Sequence, residues 1–427
     1  MNVEQLTKKI ESDKATNLFK QLYGNKPAKI TGQRKRYKAL VQNFETSFPD
    51  FNDLSLFSTP GRTEVGGNHT DHNAGRVLAA SVDLDIIAVC APTNDDSVVV
   101  QSSGYDEIKV NITDLEPKEG EKFTSRALVK GVCARFVQQG HKIGGFRACL
   151  NGNVPKAAGL SSSAAFEVLI ATILNHFYNQ GALDNTNIAQ IAQFAENNYF
   201  GKPCGLMDQT TCAYGGLVFI DFKDFSNPII EVVNYDFSNK GLAIMIIETG
   251  GDHADLNDDY AALENEMKNV AKHLGGSFLR EFTDSKILEN LNFLRTKVSD
   301  RAVLRAFHFL NDDMRVVRQV EALKNDKIDD FLLLIKESGE SSWMLCQNCY
   351  SIKNVEQQGI SIALATTDQV LKEGAWRVHG GGFAGTIQVF LPNEKVEMYT
   401  KLMESIFGEN SCHEIFIRPS GTQKVNF

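Results

Sequence analysis

The chain has 427 residues, 42% hydrophobic and 23% charged, with 53 acidic against 44 basic side chains and a formal charge of −9. That composition suits a soluble globular protein long enough for two domains, and the acidic balance argues against a nucleic-acid or anionic-membrane surface. No apolar run approaches the roughly 18 residues of a membrane span. The charged N-terminus MNVEQLTKKIESDKA lacks the apolar stretch of a secretory signal, so the expected location is cytoplasmic. The eight cysteines are scattered apart from Cys346-Gln-Asn-Cys349, which reads as reduced thiols rather than a zinc site.

Residues 1 to 57 mix polar and apolar side chains at helical spacing. Gln5 to Tyr23 and Arg34 to Phe48 read as two helices joined by a loop holding Pro27 and Gly32. They read as a surface pair packed on the main body and carry no visible chemistry.

Phe57 to Asp85 reads as strand, loop, strand, the second being the alternating run Val77 to Val89. The loop GRTEVGGNHTDHNAG holds one Arg, one Glu, one Asp and two His within eleven residues, more than a tight turn needs. Three uses stand open. Arg62 can bind an anion, His69 and Asp71 can bind a polyol, or His69, Asp71 and His72 can bind a metal.

Strands follow around Ser97–Gln101 and Ile108–Ile112, then a helix over Ala127 to Gln139 and a strand over Phe146 to Leu150. That strand leads into NGNVPKAAGLSSSAAF. Ala157, Ala158 and Gly159 pass through Leu160 into Ser161, Ser162 and Ser163. Apolar residues then fall at Phe166, Leu169, Ile170, Ile173, Leu174 and Phe177, a helical spacing. Free amides at a positive helix end suit phosphate, and serine hydroxyls can cap the helix, bond phosphate oxygens or join a magnesium shell. The Gly-x-Gly-x-x-Gly and Gly-x-x-x-x-Gly-Lys-Ser/Thr patterns are missing from this stretch.

A helix over Asn187 to Tyr199 carries Glu196. In GKPCGLMDQTTCAYGG, Asp208 lies among apolar and small residues. It is either a general base tuned by burial and a nearby Arg, or the cap of the following turn. Gly216 to Phe222 and Leu242 to Ile247 read as strands. A helix entered through Asp255 to Tyr260 runs to Leu274, and residues 285 to 350 are mostly helical. Near the end, WRVHGGGFAGTIQVF reads as a strand, a loop of Gly380, Gly381 and Gly382, and a strand.

Together these loops resemble a known family. GRTEVGGNHTDHNAG is similar to the galactokinase signature, roughly G-R-x-N-x-x-G-E-H-x-D-Y-x-x-G. PKAAGLSSSAA resembles the phosphate loop of the GHMP small-molecule kinases, HGGGFAG resembles their third motif, and CGLMDQ resembles the galactokinase segment with the catalytic Asp. The four lie in the family's order from about residue 55 to 390.

The resemblance implies an α+β fold in two lobes. An N-lobe over 1–225 would be of ribosomal protein S5 domain 2-like type with a left-handed βαβ unit, and would carry extra helices in 1–55. A ferredoxin-like C-lobe would occupy 226–427, its last strand returning to the N-lobe. It further implies transfer of the γ-phosphoryl of ATP to the anomeric hydroxyl of galactose, in a monomer or weak homo-oligomer. By position, Asp208 and Arg62 would be catalytic. Lys156, Ala157, Ala158, Gly159, Leu160, Ser161, Ser162, Ser163 and Ala164 would hold ATP, with Ser163 and Glu196 on Mg2+. Asn68, His69, Asp71, Gly205 and Tyr260 would hold the sugar.

Three positions depart from the family pattern. Glu64 stands in place of Asn, Asn68 in place of the Glu that accepts a hydroxyl at the C6 end of the sugar, and His72 in place of Tyr. An amide at 68 forgoes the charge-assisted part of that bond, roughly 1 kcal/mol. Galacturonate, N-acetylgalactosamine and a non-catalytic sugar sensor are therefore the alternatives.

Overall fold

Two sheets organise the chain in a computed structural model, which describes residues 1–155, 158–202, 204–251 and 256–427. Three helices come first: α1 (Val3–Ile10), α2 (Asp13–Tyr23) and α3 (Pro27–Ser47). The spacing predicts two. Ser12 makes the difference, because its hydroxyl accepts the Ala15 amide at 3.2 Å and starts a new helix. Pro27 opens α3, where its missing N–H costs nothing, and Gly32 lies inside that helix rather than in a loop. Phe19, Tyr37 and Phe44 of these helices pack on Leu56, Ile87 and Val89 of the first sheet.

That sheet begins with β1 (Ser55–Gly66) and β2 (Arg76–Pro92), a long antiparallel ribbon, followed by β3 (Ser97–Ser102) and β4 (Ile108–Asn111). Helix α4 (Ser125–Gln138) leads to β5 (Phe146–Gly152), which lies parallel to β3. Helices α5 (Ser162–Tyr178), α6 (Asn185–Ala195) and α7 (Met207–Tyr214) precede β6 (Leu217–Asp221) and β7 (Ile229–Val233). β2 serves two neighbours, β5 along Ile86–Pro92 and β6 along Arg76–Ala80. Since β7 pairs with β6, this sheet runs past residue 225 to Val233. Alternation sorts the side chains: Ile87 and Val89 face α1–α3, while Ala88 and Cys90 face the core shared with α4–α7.

The second sheet starts with β8 (Leu242–Glu248). Helices α8 (Asn257–His273), α9 (Asp284–Glu289), α10 (Leu291–Lys297), α11 (Asp300–Lys324), α12 (Ile328–Ser341) and α13 (Gly359–Val370) follow. Asp255, expected at the entry to α8, lies outside the described residues. The hairpin β9 (Ala375–His379) and β10 (Thr386–Pro392), then α14 (Val396–Phe407) and β11 (Cys412–Ile415), complete the antiparallel order β11-β8-β10-β9, a ferredoxin-like arrangement. The chain then crosses back: β12 (Gln423–Val425) pairs with Leu56–Ser58 of β1.

Buried polar contacts stitch the two sheets together at β1 and β9. Arg377, with no exposed surface, donates to Glu64 Oε1 at 2.5 Å and to the Val65 carbonyl at 2.8 Å. Thr63 Oγ1 lies 2.9 Å from His379 Nε2. β1 therefore carries Arg62 at the seam where the glycine loop after β9 arrives.

Candidate active site

Arg62 projects from β1 toward the N-terminal turn of α7. Its Nε donates to Asp208 Oδ1 at 2.6 Å and its Nη2 to Asp208 Oδ2 at 2.7 Å, a two-pronged ion pair. The third nitrogen, Nη1, donates to the Gly159 carbonyl at 2.6 Å. Burial pushes the Asp208 carboxyl up, but the Arg62 charge and the bonds from Arg62 and Ser161 outweigh it, so the group stays below the usual carboxylate range and ionised. Asp208 is thus held by a partner across the cleft and is more than the cap of a turn.

Ser161 precedes α5 in a left-handed conformation and gives the helix no side-chain cap. Its hydroxyl instead donates to Asp208 Oδ2. The first-turn amides of α5, at Ser162, Ser163 and Ala164, have no acceptor within the helix and remain for an anion. Ala164 and Leu160 are buried, so they can contribute backbone only. The Leu160 carbonyl accepts the Arg62 amide at 3.1 Å, and the Ala158 carbonyl lies 3.5 Å from Thr386 Oγ1. Lys156 and Ala157 lie outside the described residues.

In the first turn of α5, Ser163 Oγ donates to Glu196 Oε1 at 3.1 Å. Glu196 sits where α6 gives way to a π turn, Glu196–Phe200. Gln209 Nε2 donates to its other oxygen at 2.8 Å. Burial and the neighbouring Glu196 charge push the Glu167 carboxyl well up, which keeps it neutral beside Gln209. A buried carboxylate beside a serine hydroxyl is a hard-oxygen pair of the kind magnesium takes, with phosphate and water completing the shell. Among the described residues no three His, Cys, Asp or Glu side chains cluster to hold a metal.

A cleft of about 640 Å³ opens from Ser162 and Ser163, lined by Tyr105, Phe123, Arg126, Phe166 and Phe200 among others. Phe123 is 69% exposed and its ring lies 5.6 Å from that of Phe200, edge to face. An exposed aromatic pair beside a phosphate-binding helix end suits a nucleobase. Phe123 and Phe200 belong to none of the motifs. The one signal is Phe123, the single phenylalanine of the stretch 93–124, set among charged residues.

The HTDH turn lies on the other side. His69 Nε2 is 2.9 Å from the Gly381 carbonyl, so that nitrogen carries the proton and Nδ1 is left as an acceptor. Burial, then the neighbouring His72, pushes its pKa down to about 3, so the ring is neutral. Asp71 meets Gly205 so closely that a Cβ there would lie 2.5 Å from Oδ2. Tyr260 donates to the Gly382 carbonyl at 3.1 Å, and a Cβ at Gly381 would lie 2.5 Å from its ring. The turn, the Gly380–Gly382 loop and the segment before Asp208 therefore converge.

Asn68 does not join them. Its side chain has no exposed surface. Its Nδ2 donates to Glu64 Oε1 at 3.0 Å and to the Gly380 carbonyl at 2.8 Å, while its Oδ1 accepts from Asn348 at 2.8 Å and Ser342 at 3.1 Å. Every hydrogen-bonding direction is used inside the protein, unlike the sugar ligand expected at this position. Glu64, another of the three departures, is the carboxyl that Asn68 and Arg377 share.

Residues 127–216 match the family model described as GHMP kinases N terminal domain, and residues 42–92 match the one described as Galactokinase galactose-binding signature. By these two matches the chain is similar to the GHMP kinases and, within them, to the galactokinases. It is 27% identical to a galactokinase of Clostridium tetani over 83% of this chain and 88% of that one. It is 28% identical to one of Streptomyces coelicolor, over 82% and 88%. Its fold is that of Lactococcus lactis galactokinase solved with galactose, with a TM-score of 0.78 at 23% identity over 91% of this chain and 99% of that one. Methanococcus jannaschii mevalonate kinase shares it less closely, with a TM-score of 0.61 at 16% identity over 85% and 98%.

Proposed function

We propose that this protein is an ATP-dependent sugar 1-kinase that transfers the γ-phosphoryl of ATP to the anomeric hydroxyl of galactose, giving galactose 1-phosphate and ADP. The observation that carries the reading is the Arg62–Asp208 pair. It stands between the uncapped end of α5, beside Ser163 and Glu196, and the turn of His69, Asp71 and Gly205.

Phosphoryl transfer needs positioning and charge neutralisation more than covalent catalysis. The α5 amides and serine hydroxyls would bind the phosphates, and Phe123 and Phe200 the base. Ser163 and Glu196 would hold Mg2+, which would supply charge neutralisation for the phosphates. His69 Nδ1 and Asp71 present acceptors to sugar hydroxyls. Asp208, kept ionised by Arg62, would orient the anomeric hydroxyl. A carboxylate with a depressed pKa is a weak base, so it takes the proton late, once the acceptor oxygen has begun to bond phosphorus.

With the Asn68 side chain bonded within the protein, galacturonate and N-acetylgalactosamine belong in the test. ADP release should be followed with each of these sugars and with galactose. The strongest turnover with galactose supports the reading. Turnover with another of the panel alone would move the substrate, and sugar-dependent ATP binding without ADP release would make the protein a sensor. We also place the protein in the cytoplasm as a monomer or weak oligomer, a reading supported by eight free thiols. Among the described residues no helix is long and apolar enough to cross a membrane.

A further inference from the structure

We propose that Lys202 is a phosphate-contacting cation of this site, able to leave Glu196 for the terminal phosphate of ATP; the proposal rests on the kinase reading above. Lys202 follows Gly201 at the end of the π turn. Both amides bond back to the Glu196 carbonyl, at 3.0 Å from Gly201 and 3.3 Å from Lys202. The backbone is therefore tied to the metal-ligand pair. The side chain is not: it is 62% exposed, and its Nζ stands 3.8 Å from Glu196 Oε1, beyond hydrogen-bond distance. Ser163 already donates to that same oxygen.

Charge counting gives the lysine its purpose. Arg62 spends all three nitrogens on Asp208 and Gly159, and its charge is matched by Asp208. Glu196 adds a negative charge where a polyanion must dock. A mobile ammonium on Glu196 offsets that charge and, with a flexible stem, can follow the phosphate through transfer, which a fixed guanidinium cannot. It lies near enough to lower the pKa of the Asp208 carboxyl slightly, as well as that of Glu167. A terminal phosphate lying between Ser163 and Asp208 would be within its reach.

Lys202→Ala and Lys202→Arg test this. Turnover and Michaelis constants are measured with Mg·ATP and galactose. Affinities for Mg·ADP and for a Mg·β,γ-imido ATP analogue are measured without sugar by calorimetry. The Ala variant should lose ~10²-fold in turnover with the sugar Michaelis constant little changed. It should also lose the preference that the wild type is expected to show for the analogue over ADP, and Arg should restore much of both. An unchanged analogue-to-ADP ratio in the Ala variant overturns the contact, whatever happens to turnover. If the wild type phosphorylates no sugar, the kinase reading fails, while the nucleotide titrations still judge Lys202.

Discussion

Arg62 and Asp208 meet through two parallel bonds, 2.6 Å from Nε and 2.7 Å from Nη2. Removing the half-buried Asp208 leaves the buried Arg62 charge without its partner, which costs stability. Asp208→Ala would then lose stability together with activity. Asp208→Asn keeps the shape and some of the bonding. It should cut turnover at least ~10²-fold while leaving ATP affinity close to wild type. Near-normal turnover in the Asn variant would remove Asp208 from the chemistry.

Asn68→Glu is the substitution that family resemblance recommends for tighter galactose binding. The structure reverses the expectation. A carboxylate there would face Glu64, 3.0 Å from the present amide nitrogen, and would leave the Ser342 and Asn348 donors around it rearranged. Expected is a destabilisation of roughly 3 kcal/mol or more, read as a lower midpoint in urea. A variant as stable as wild type with a lower galactose Michaelis constant would return Asn68 to the sugar site.

Phe123→Ala should weaken ATP without touching the sugar. Stacking of a base on an aromatic ring contributes about 1–3 kcal/mol, so the ATP Michaelis constant should rise roughly tenfold or more. The galactose Michaelis constant at saturating ATP should stay within about twofold of wild type. Equal effects on both substrates would place the nucleotide elsewhere.

Acid should loosen the seam between the sheets. Burial pushes the pKa of His308 down, and that of His379 well down with help from Arg62 and Arg377. His69 falls to about 3 through burial and His72. Each ring stays neutral in the folded chain while its unfolded counterpart takes a proton below about pH 6.5. Stability is therefore fully present above that pH. It should decline as the pH falls through it, by about 1.4 kcal/mol per pH unit for each ring that titrates only on unfolding. Denaturant midpoints between about pH 7 and pH 5 would show it, and His379→Gln should flatten part of the slope. A midpoint independent of pH across that range would mean that the rings protonate in place.

The reacting loops were legible because their chemistry is local. GRTEVGGNHTDHNAG and KAAGLSSSAA hold more glycine, serine and titratable side chains than turns require, and CGLMDQ puts an acid among small residues. Most strands were legible from alternation. The three-helix start was not, because Ser12 and Pro27 act through cap geometry that spacing does not display. The burial of Asn68 was not legible either. Its partners Asn348, Ser342 and Gly380 are far along the chain, and only the fold brings them together. The aromatic walls of the nucleotide cleft come from separate loops with no shared motif.

Thr422, just before β12, sits 2.6 Å from Thr59, which is 363 residues earlier, and 2.8 Å from Thr172 of α5. A ribosome must therefore finish the whole ferredoxin-like half before the sheet under Arg62 can gain its outermost strand. Until then the nascent N-lobe has an unpaired edge beside β1, open to wrong partners. Segments with large sequence separation close slowly. Activity should therefore appear late in refolding, after the helical signal has recovered.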